Sequence, residues 1–375
     1  VSGGEILPGT LIQNIVEMKK INMLLICAVM ALQTMAQQKT ENVVIVTLDG
    51  MRWQEIFGGV DSALMNGRYT MDKKSMVEKF WSDTLQERRK KLFPFLWQMV
   101  ATKGQLYGNR WENNKVNVAN RYQFSYPGYN EIFTGYPDTA VNSNDKIPNS
   151  NINVLEFINQ DAKYKNKVAA FATWDVFPYI LNAKRSGVYV NAGVDTLPSL
   201  TQGLSVVNDL QFLSPQPIDV RPDVATYLAA REYLKAKQPK VLYIAFDETD
   251  DYAHAGLYDQ YLKSAHAEDA MLADLWNTLQ SMPQYKNKTT LIVTCDHGRG
   301  DLKKDTWRDH GSEVPESGEI WMAFIGQGIS PKGEIKTSQQ HYQQQLAATI
   351  ASLLGLNFTT THPVAPSLSA EIVKQ

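Results

Sequence analysis

A chain of 375 residues can form one large α/β domain or two ordinary ones, and either buries a sizeable core. Hydrophobic residues make up 43% and charged residues 20%, with a formal net charge of -2, which excludes a disordered chain and one that binds a nucleic-acid duplex through bulk positive charge. Only two cysteines occur, Cys27 and Cys295.

Residues 18–38 read MKKINMLLICAVMALQTMAQQ: two lysines, a short apolar run, then the small-x-small site Thr34-Met35-Ala36. This is the pattern of a secretory signal peptide over 18–36, and its apolar run falls short of the ~20 residues that a membrane-spanning helix needs. Residues 1–17 read as an upstream extension, and 37–375 as a single domain exported to the periplasm or beyond, with no membrane span left after cleavage. Cleavage removes Cys27, so Cys295 has no intramolecular partner and the fold rests on its core, with help from metals. Oligomeric state is not legible.

NVVIVTL at 42–48 is an unbroken apolar, β-branched run, which predicts a strand buried on both faces and ending at Asp49-Gly50. Residues 73–91 are rich in charge and read as a solvated helical face. Pro94 opens a short helix that Gly104 ends. QFSYPGYNEIFTGYPD at 123–138 reads as a strand end, a tight turn at Ser125 and a short helix entered at Pro127 and stopped at Gly135. That places the Ser125 hydroxyl beside free backbone N–H groups at the positive end of a helix, where anions are favoured; an ordinary helix-capping serine has the same local signature.

KVAAFAT at 167–173 is a further strand. Residues 179–223 lack helical periodicity and read as an inserted cap or long connection over a sheet face. A helix is predicted over 224–236, a strand over 241–246, then an acidic turn and a long helix whose stripe Met271, Leu272, Leu275, Trp276 and Leu279 is core packing. TLIVTCDHGRG at 290–300 is another buried strand running into Asp296, His297 and Gly298; 320–326 is a strand, and QQQLAATIASLLGL near the end a helix. Alternating strands and helices predict an α/β fold with a largely parallel sheet covered on both faces and ligands outside the carboxyl ends of its strands.

The chemistry lies at those ends. Asp49, Asp250 with His254, and Asp296 with His297 each follow a predicted strand, and His310 in DHGSE can reach the same edge, as can Ser125. Three Asp and three His make two sets of oxygen and nitrogen ligands, suited to two divalent ions, zinc ahead of manganese and both ahead of calcium. Two such ions about 4 Å apart hold both oxygens of an in-line displacement at phosphorus, and one of them can activate a serine without a histidine base.

LDGMR at 48–52, SYPGYNEIFTG at 125–135, DETDDYAH at 247–254, CDHG at 295–298 and the later HG at 310–311 together resemble the alkaline phosphatase superfamily, and especially its nucleotide pyrophosphatase/phosphodiesterase-like branch. The resemblance implies an alkaline-phosphatase-like fold in which Asp49, Asp296 and His297 hold the ion that activates Ser125, while Asp250, His254 and His310 hold the ion on the leaving-group side. Ser125 stands where the branch usually has threonine, and Gly128-Tyr129 where it has Asn-His. An asparagine beyond the nucleophile binds a phosphoryl oxygen in the family; Asn142 and Asn144 are the candidates, with Asn144 preferred. Arg299 is close enough in sequence to reach a substrate phosphate, or to pair outward with Asp301; Lys184 and Arg185 could hang over the site.

Asp247 and Asp251 read as turn or supporting residues, and His266, His341 and His362 as surface or packing histidines. The implied activity is hydrolysis of small phosphoric esters through a covalent intermediate on Ser125, leaning to diester or nucleotide-type substrates. The rivals are a phosphomonoesterase, a sulfatase, a phosphoglycerate-mutase-like enzyme and an inactive relative that binds phosphorylated or sugar ligands at the cell surface.

Overall fold

Asn42–Leu48 forms strand β1, with all seven side chains buried, as an uninterrupted apolar and β-branched run requires of a strand covered on both faces. The computed structural model of the protein describes residues 40–214 and 220–374, so the signal segment at 18–36 and the extension at 1–17 lie outside the described residues. After β1 come helix α1 (Trp53–Gly58), two charged helices, α2 (Lys73–Phe80) and α3 (Leu85–Leu92), and strands β2 (Gly104–Tyr107) and β3 (Asn114–Asn117). The middle of the chain supplies α4 (Ser125–Thr134), α5 (Val154–Gln160), β4 (Val168–Ala172), β5 (Tyr189–Ala192), α6 (Gln202–Leu213) and α7 (Asp223–Lys237). Then follow β6 (Val241–Phe246), α8 (Glu248–His254), α9 (Tyr258–Ser281) and β7 (Thr289–Thr294). The last stretch adds β8 (Glu319–Ile320), β9 (Met322–Gly326), β10 (Gly333–Glu334), β11 (Gln339–Tyr342) and α10 (Gln345–Leu353).

The main sheet has eight strands in the order β10-β2-β9-β7-β1-β6-β4-β5, parallel throughout except at β9, which runs against both β2 and β7. Its centre is β7-β1-β6, three strands without an exposed side chain. Register then does the positioning. Thr47 pairs with Thr294, and Leu48 with Phe246, so Asp49 and Asp296 lie level, two residues further on, at the ends of adjacent strands. Neighbouring strands run about 4.8 Å apart, so carboxylates at level strand ends come within reach of one ion.

Three sequence expectations change here. The strand read as continuous over 320–326 is divided at Trp321: Ile320 pairs with β3 in a separate three-stranded sheet, β11-β3-β8, whereas Met322 pairs with β2 and β7. Trp321 is fully buried and donates its indole N–H to Met51 O, 3.0 Å away, which anchors the switch beside the site. The region 179–223 is built into the fold rather than laid over it, because it supplies the edge strand β5 and the helix α6, which packs on α7. Its strand is only four residues long and half-buried, too short to show a period in the sequence. Finally, Asp250 and His254 stand on α8 rather than in an acidic turn, four residues apart and so on one helix face.

The predicted stripe on α9 is core: Leu272, Leu275 and Leu279 are buried, with Met271 and Trp276 packed against them. The same helix carries Asp269, whose carboxylate accepts from the Phe95 and Leu96 N–H groups at 2.7 and 3.0 Å and so holds the start of the helix opened by Pro94. Burial pushes this carboxyl up to about 7, against the pull of its two amide donors. A carboxyl raised in the folded state stabilises the protein below its unfolded pKa and loses that contribution as pH rises towards 7. Denaturant unfolding of Asp269→Asn beside the parent at pH 4 and 7.5 should therefore show the variant gaining on the parent by up to about 4 kcal/mol between the two pH values. A difference that is flat with pH would contradict it. Among the described residues no helix is long and apolar enough to cross a membrane.

Candidate active site

The candidate nucleophile and all six candidate ligands meet at the carboxyl ends of β7, β1 and β6. Two groups form, Asp49 with Asp296 and His297, and Asp250 with His254 and His310, each with its ligand atoms within 4.8 Å of one another. His297 Nε2 lies 3.4 Å from Asp49 Oδ1 and 3.4 Å from Asp296 Oδ2. In the second group His254 Nε2 is 3.2 Å from Asp250 Oδ2 and 3.0 Å from His310 Nε2. The groups adjoin, since the His297 and His310 rings stack with centroids 3.9 Å apart and Asp250 Oδ1 is 3.8 Å from His297 Nε2.

Ser125 sits at the first turn of α4, 7% exposed, with its Oγ 3.4 Å from His297 Nε2. The helix begins there because Phe124 is extended, Pro127 suits a first turn, and Gly135 at φ 69 ends it in the left-handed region. The turn before it is fixed from a distance. Glu131, buried one and a half turns along the helix, accepts from Ala119 N, Asn120 N and Nδ2, and Gln344 N, while Asn120 Oδ1 accepts from the Tyr122 and Gln123 amides. The expected row of free amides is not what stands here. The Tyr126 N–H donates to Asn144 Oδ1 at 3.0 Å, Pro127 has none, and the Gly128 N–H donates to Phe124 O.

The charge balance shows what these residues fit. Burial, with Asp49 adding to it, pushes the Asp296 carboxyl up to about 8. Burial pulls His297 down, but Asp296 and Asp49 more than reverse this and raise it to about 9. His254 is lowered by burial and by His297; His310 is lowered far more, by burial and by the cationic His297 and Arg299. Protons thus collect where carboxylates are crowded in a dry place, the situation that a bound divalent cation relieves. Two further observations fit a cation. Asp49 Oδ1 and Asp296 Oδ2 are buried without a hydrogen-bond partner. His297 Nδ1 lies 3.0 Å from Gly298 O, so the ring can donate there and keep Nε2 as a lone pair towards the two carboxylates.

Several residues that sequence reasoning left out hold this frame. Tyr129, fully buried, donates its hydroxyl to Asp49 Oδ2 at 2.8 Å, and burial pushes that phenol well above its ordinary range. Gly128 lets α4 lie against the end of β7, since a Cβ there would stand 2.5 Å from Asp296 O. Gln343 Nε2 donates to Cys295 O and Asp296 O, Thr249 Oγ1 to Asp49 O, and the Gly50 amide to Asp296 Oδ1. Gly50 itself, at φ 58, is packed against the Arg299 guanidinium, leaving no room for a Cβ. Of these, Gly128 and Tyr129 stood out in the sequence as a departure from the family pattern, and Gly50 and Thr249 lie within LDGMR and DETDDYAH.

The proposed substrate contacts divide. Arg299 does not face a substrate: it is 1% exposed, and its guanidinium donates to the Asp250 carboxylate, to Gly50 O at 3.2 Å and to Arg308 O at 2.7 Å. Asp301, its suggested outward partner, pairs with Arg52 and Lys304. Arg185 is occupied with Glu156 and the carbonyls of Asn149, Ser150 and Asn151, while Lys184 is exposed. Asn144 is exposed and beside the nucleophile helix; Asn142 is exposed on the same loop, which borders a cavity of about 100 Å³ next to Tyr126. His266, His341 and His362 belong to neither ligand group: His266 Nδ1 is 2.8 Å from Leu92 O, His341 lies beside Glu371, and His362 stacks on Tyr136. Asp247 is buried and its amide donates to Asp223, Asp251 is exposed, and Cys295 is a buried free thiol.

Solved structures with this fold include alkaline phosphatase PafA, at TM-score 0.60 and 11% identity over 90% of this chain and 99% of that one. A putative sulfatase from Bacteroides thetaiotaomicron aligns at TM-score 0.57 and 13% identity over 90% and 75%. Murine ectonucleotide pyrophosphatase/phosphodiesterase 5, solved in complex with AMP, aligns at 0.53 and 13% over 88% and 98%. At such identities the likeness is one of fold. No curated protein matches the chain in sequence. The model of the family described as type I phosphodiesterase / nucleotide pyrophosphatase matches residues 65–356, a span from the helices after the first strand to the end of the last sheet-covering helix, and with the alkaline-phosphatase-like fold it settles the family. The chain belongs to the type I phosphodiesterase / nucleotide pyrophosphatase family, phosphoester hydrolases of the alkaline phosphatase superfamily.

Proposed function

We propose that this protein is an exported hydrolase of phosphoric diesters or nucleotide-type esters that uses two divalent ions and a covalent phosphoryl intermediate on Ser125. The observation that carries the reading is the pair of three-residue groups, Asp49/Asp296/His297 and Asp250/His254/His310, set side by side, with Ser125 Oγ 3.4 Å from His297 Nε2 of the first. Bound there, two zinc or manganese ions would supply the positive charge that lowers the pKa of the serine hydroxyl and stabilises the departing oxygen.

The chain's own residues do the rest. Ser125 Oγ attacks phosphorus in line, the bond from phosphorus to the leaving alcohol breaks, and water then cleaves the seryl ester and restores the hydroxyl. The first group lies on the side of Ser125, the second on the side of the leaving group. Asn144, with Oδ1 held by the Tyr126 amide, has its Nδ2 hydrogens left to meet a non-bridging phosphoryl oxygen. A monoester brings more negative charge than a diester and favours an additional fixed cation. Arg299 and Arg185, the two arginines raised as substrate contacts, are both tied to the protein itself, which favours diesters. The AMP bound to the murine relative supports a nucleotide-type ligand.

Hydrolysis of a bis-aryl phosphate, an aryl phosphate and an aryl sulfate by zinc- or manganese-loaded protein tests this directly. The bis-aryl phosphate should turn over fastest, by about tenfold or more in kcat/KM, a difference of roughly 1.4 kcal/mol in transition-state binding. Preference for the monoester would favour the phosphomonoesterase, and preference for the sulfate a sulfatase. Fewer than one transition metal per chain after loading would sink the two-ion site.

A further inference from the structure

We propose that Tyr129 is the positioning residue of the Ser125-side metal site: its hydroxyl claims one oxygen of Asp49 and thereby presents only the other to the ion. The inference rests on the two-ion reading above and adds to it a residue that determines how tightly, and in which geometry, one of the two ions is held.

Tyr129 is four residues beyond Ser125 on α4, so nucleophile and phenol lie on one helix face a single turn apart. The hydroxyl donates to Asp49 Oδ2 at 2.8 Å, whereas Asp49 Oδ1 has no hydrogen-bond partner and lies 3.4 Å from His297 Nε2. The two oxygens of one carboxylate are thus made unequal, one satisfied and one left for a ligand. The phenol would thus bias Asp49 towards offering Oδ1 to an ion while Oδ2 keeps its hydrogen bond.

The phenol has little freedom to move. Its ring is fully buried, and it meets Phe177 edge-on with centroids 4.7 Å apart. Gly128, immediately before it, fixes how close the helix comes: a Cβ there would meet Asp296 O at 2.5 Å. One helix turn therefore sets the nucleophile, the close approach to one ligand residue and the hydrogen bond to another. The opposite oxygen pattern holds for Asp296, whose Oδ1 accepts from the Gly50 amide while Oδ2 is unpartnered. Both carboxylates of this group are thus held by one oxygen each, one by backbone and one by Tyr129. Of the two holds, only the one through Tyr129 can be removed without changing the backbone.

Tyr129→Phe keeps the ring and drops only the hydroxyl. Metal affinity is read by chelator competition with zinc and by the visible spectrum of the cobalt-loaded protein, with Asp49→Asn to identify which binding step belongs to this group. The expected result is that the step lost in Asp49→Asn weakens by about 10- to 100-fold in Tyr129→Phe, with an altered cobalt spectrum. The other step should stay within about twofold, and kcat should recover at saturating metal, whereas KM for substrate changes little. Far-UV circular dichroism and the melting temperature of the metal-free variant confirm that the ring substitution leaves the fold in place. Parent protein that binds two ions, alongside Tyr129→Phe with both affinities and the cobalt spectrum unchanged, would overturn the role of Tyr129 alone. Parent protein that binds no transition ion would overturn the two-ion reading, and the positioning role with it.

Discussion

Ser125→Ala is expected to lower kcat by at least about 10³-fold while the protein retains both metal ions and its stability. The size follows from the role: without the hydroxyl no seryl ester can form, and what remains is direct attack by water in a site that still binds and polarises the phosphoryl group. Metal retention follows from geometry, because the hydrogen bond between Ser125 Oγ and His297 Nε2 is long, at 3.4 Å, and that ring is held as well through Nδ1, 3.0 Å from Gly298 O. Stability should hold because Ser125 lies within α4 rather than at its cap, which is Phe124, and alanine is at least as good a helix former there. Steady-state kinetics and metal content on the same sample check both halves. Rapid quench of the parent during turnover should find a phosphoryl adduct on the peptide that contains Ser125. A variant with more than a tenth of the parent rate would take Ser125 out of the mechanism.

Arg299→Met should destabilise the protein by about 3–5 kcal/mol, the usual cost of removing one partner from a buried ion pair. The guanidinium is fully enclosed and donates to the Asp250 carboxylate, Gly50 O and Arg308 O, so its loss takes the cationic donor from one carboxylate and the donors from two carbonyls. Burial pushes its pKa down to about 9, which still leaves it charged at neutral pH. Because Asp250 belongs to the second ligand group, weaker binding of that ion should accompany the lost stability. Denaturant unfolding of the metal-free protein, followed by metal titration, separates the two effects. Unchanged stability with a raised KM would instead be the result for an arginine that reaches substrate.

The contrast between these two residues shows where sequence reading works. Asp49, Asp296 and His297 stand directly after buried strands and Asp250 and His254 on the helix that follows one, and strand ends are visible in sequence because β1, β6 and β7 are unbroken apolar runs. The four-residue step from Asp250 to His254 is likewise local. Arg299 has the same sequence neighbours as His297, yet its direction depends on Asp250, 49 residues away, and on Gly50, 249 residues away. Tyr129 and Asp49 are 80 residues apart, and Gln343 reaches Asp296 across 47. Partnerships of that span leave no periodic mark on a chain.

Fold details divide in the same way. Short polar strands such as QQHY in β11 and NKVN in β3 cannot be told from loops by hydrophobic pattern, so the three-stranded sheet and the break at Trp321 were hidden. The edge strand within 179–223 was hidden for the same reason. By itself the sequence determined the class of fold, the buried central strands and which side chains stand at their ends, because burial and local spacing are written in consecutive residues. Only the tertiary structure decided the strand order β7-β1-β6 that gathers those side chains into two groups, the inward turn of Arg299 and the grip of Tyr129 on Asp49, because each depends on long-range register and close packing between segments far apart in the chain.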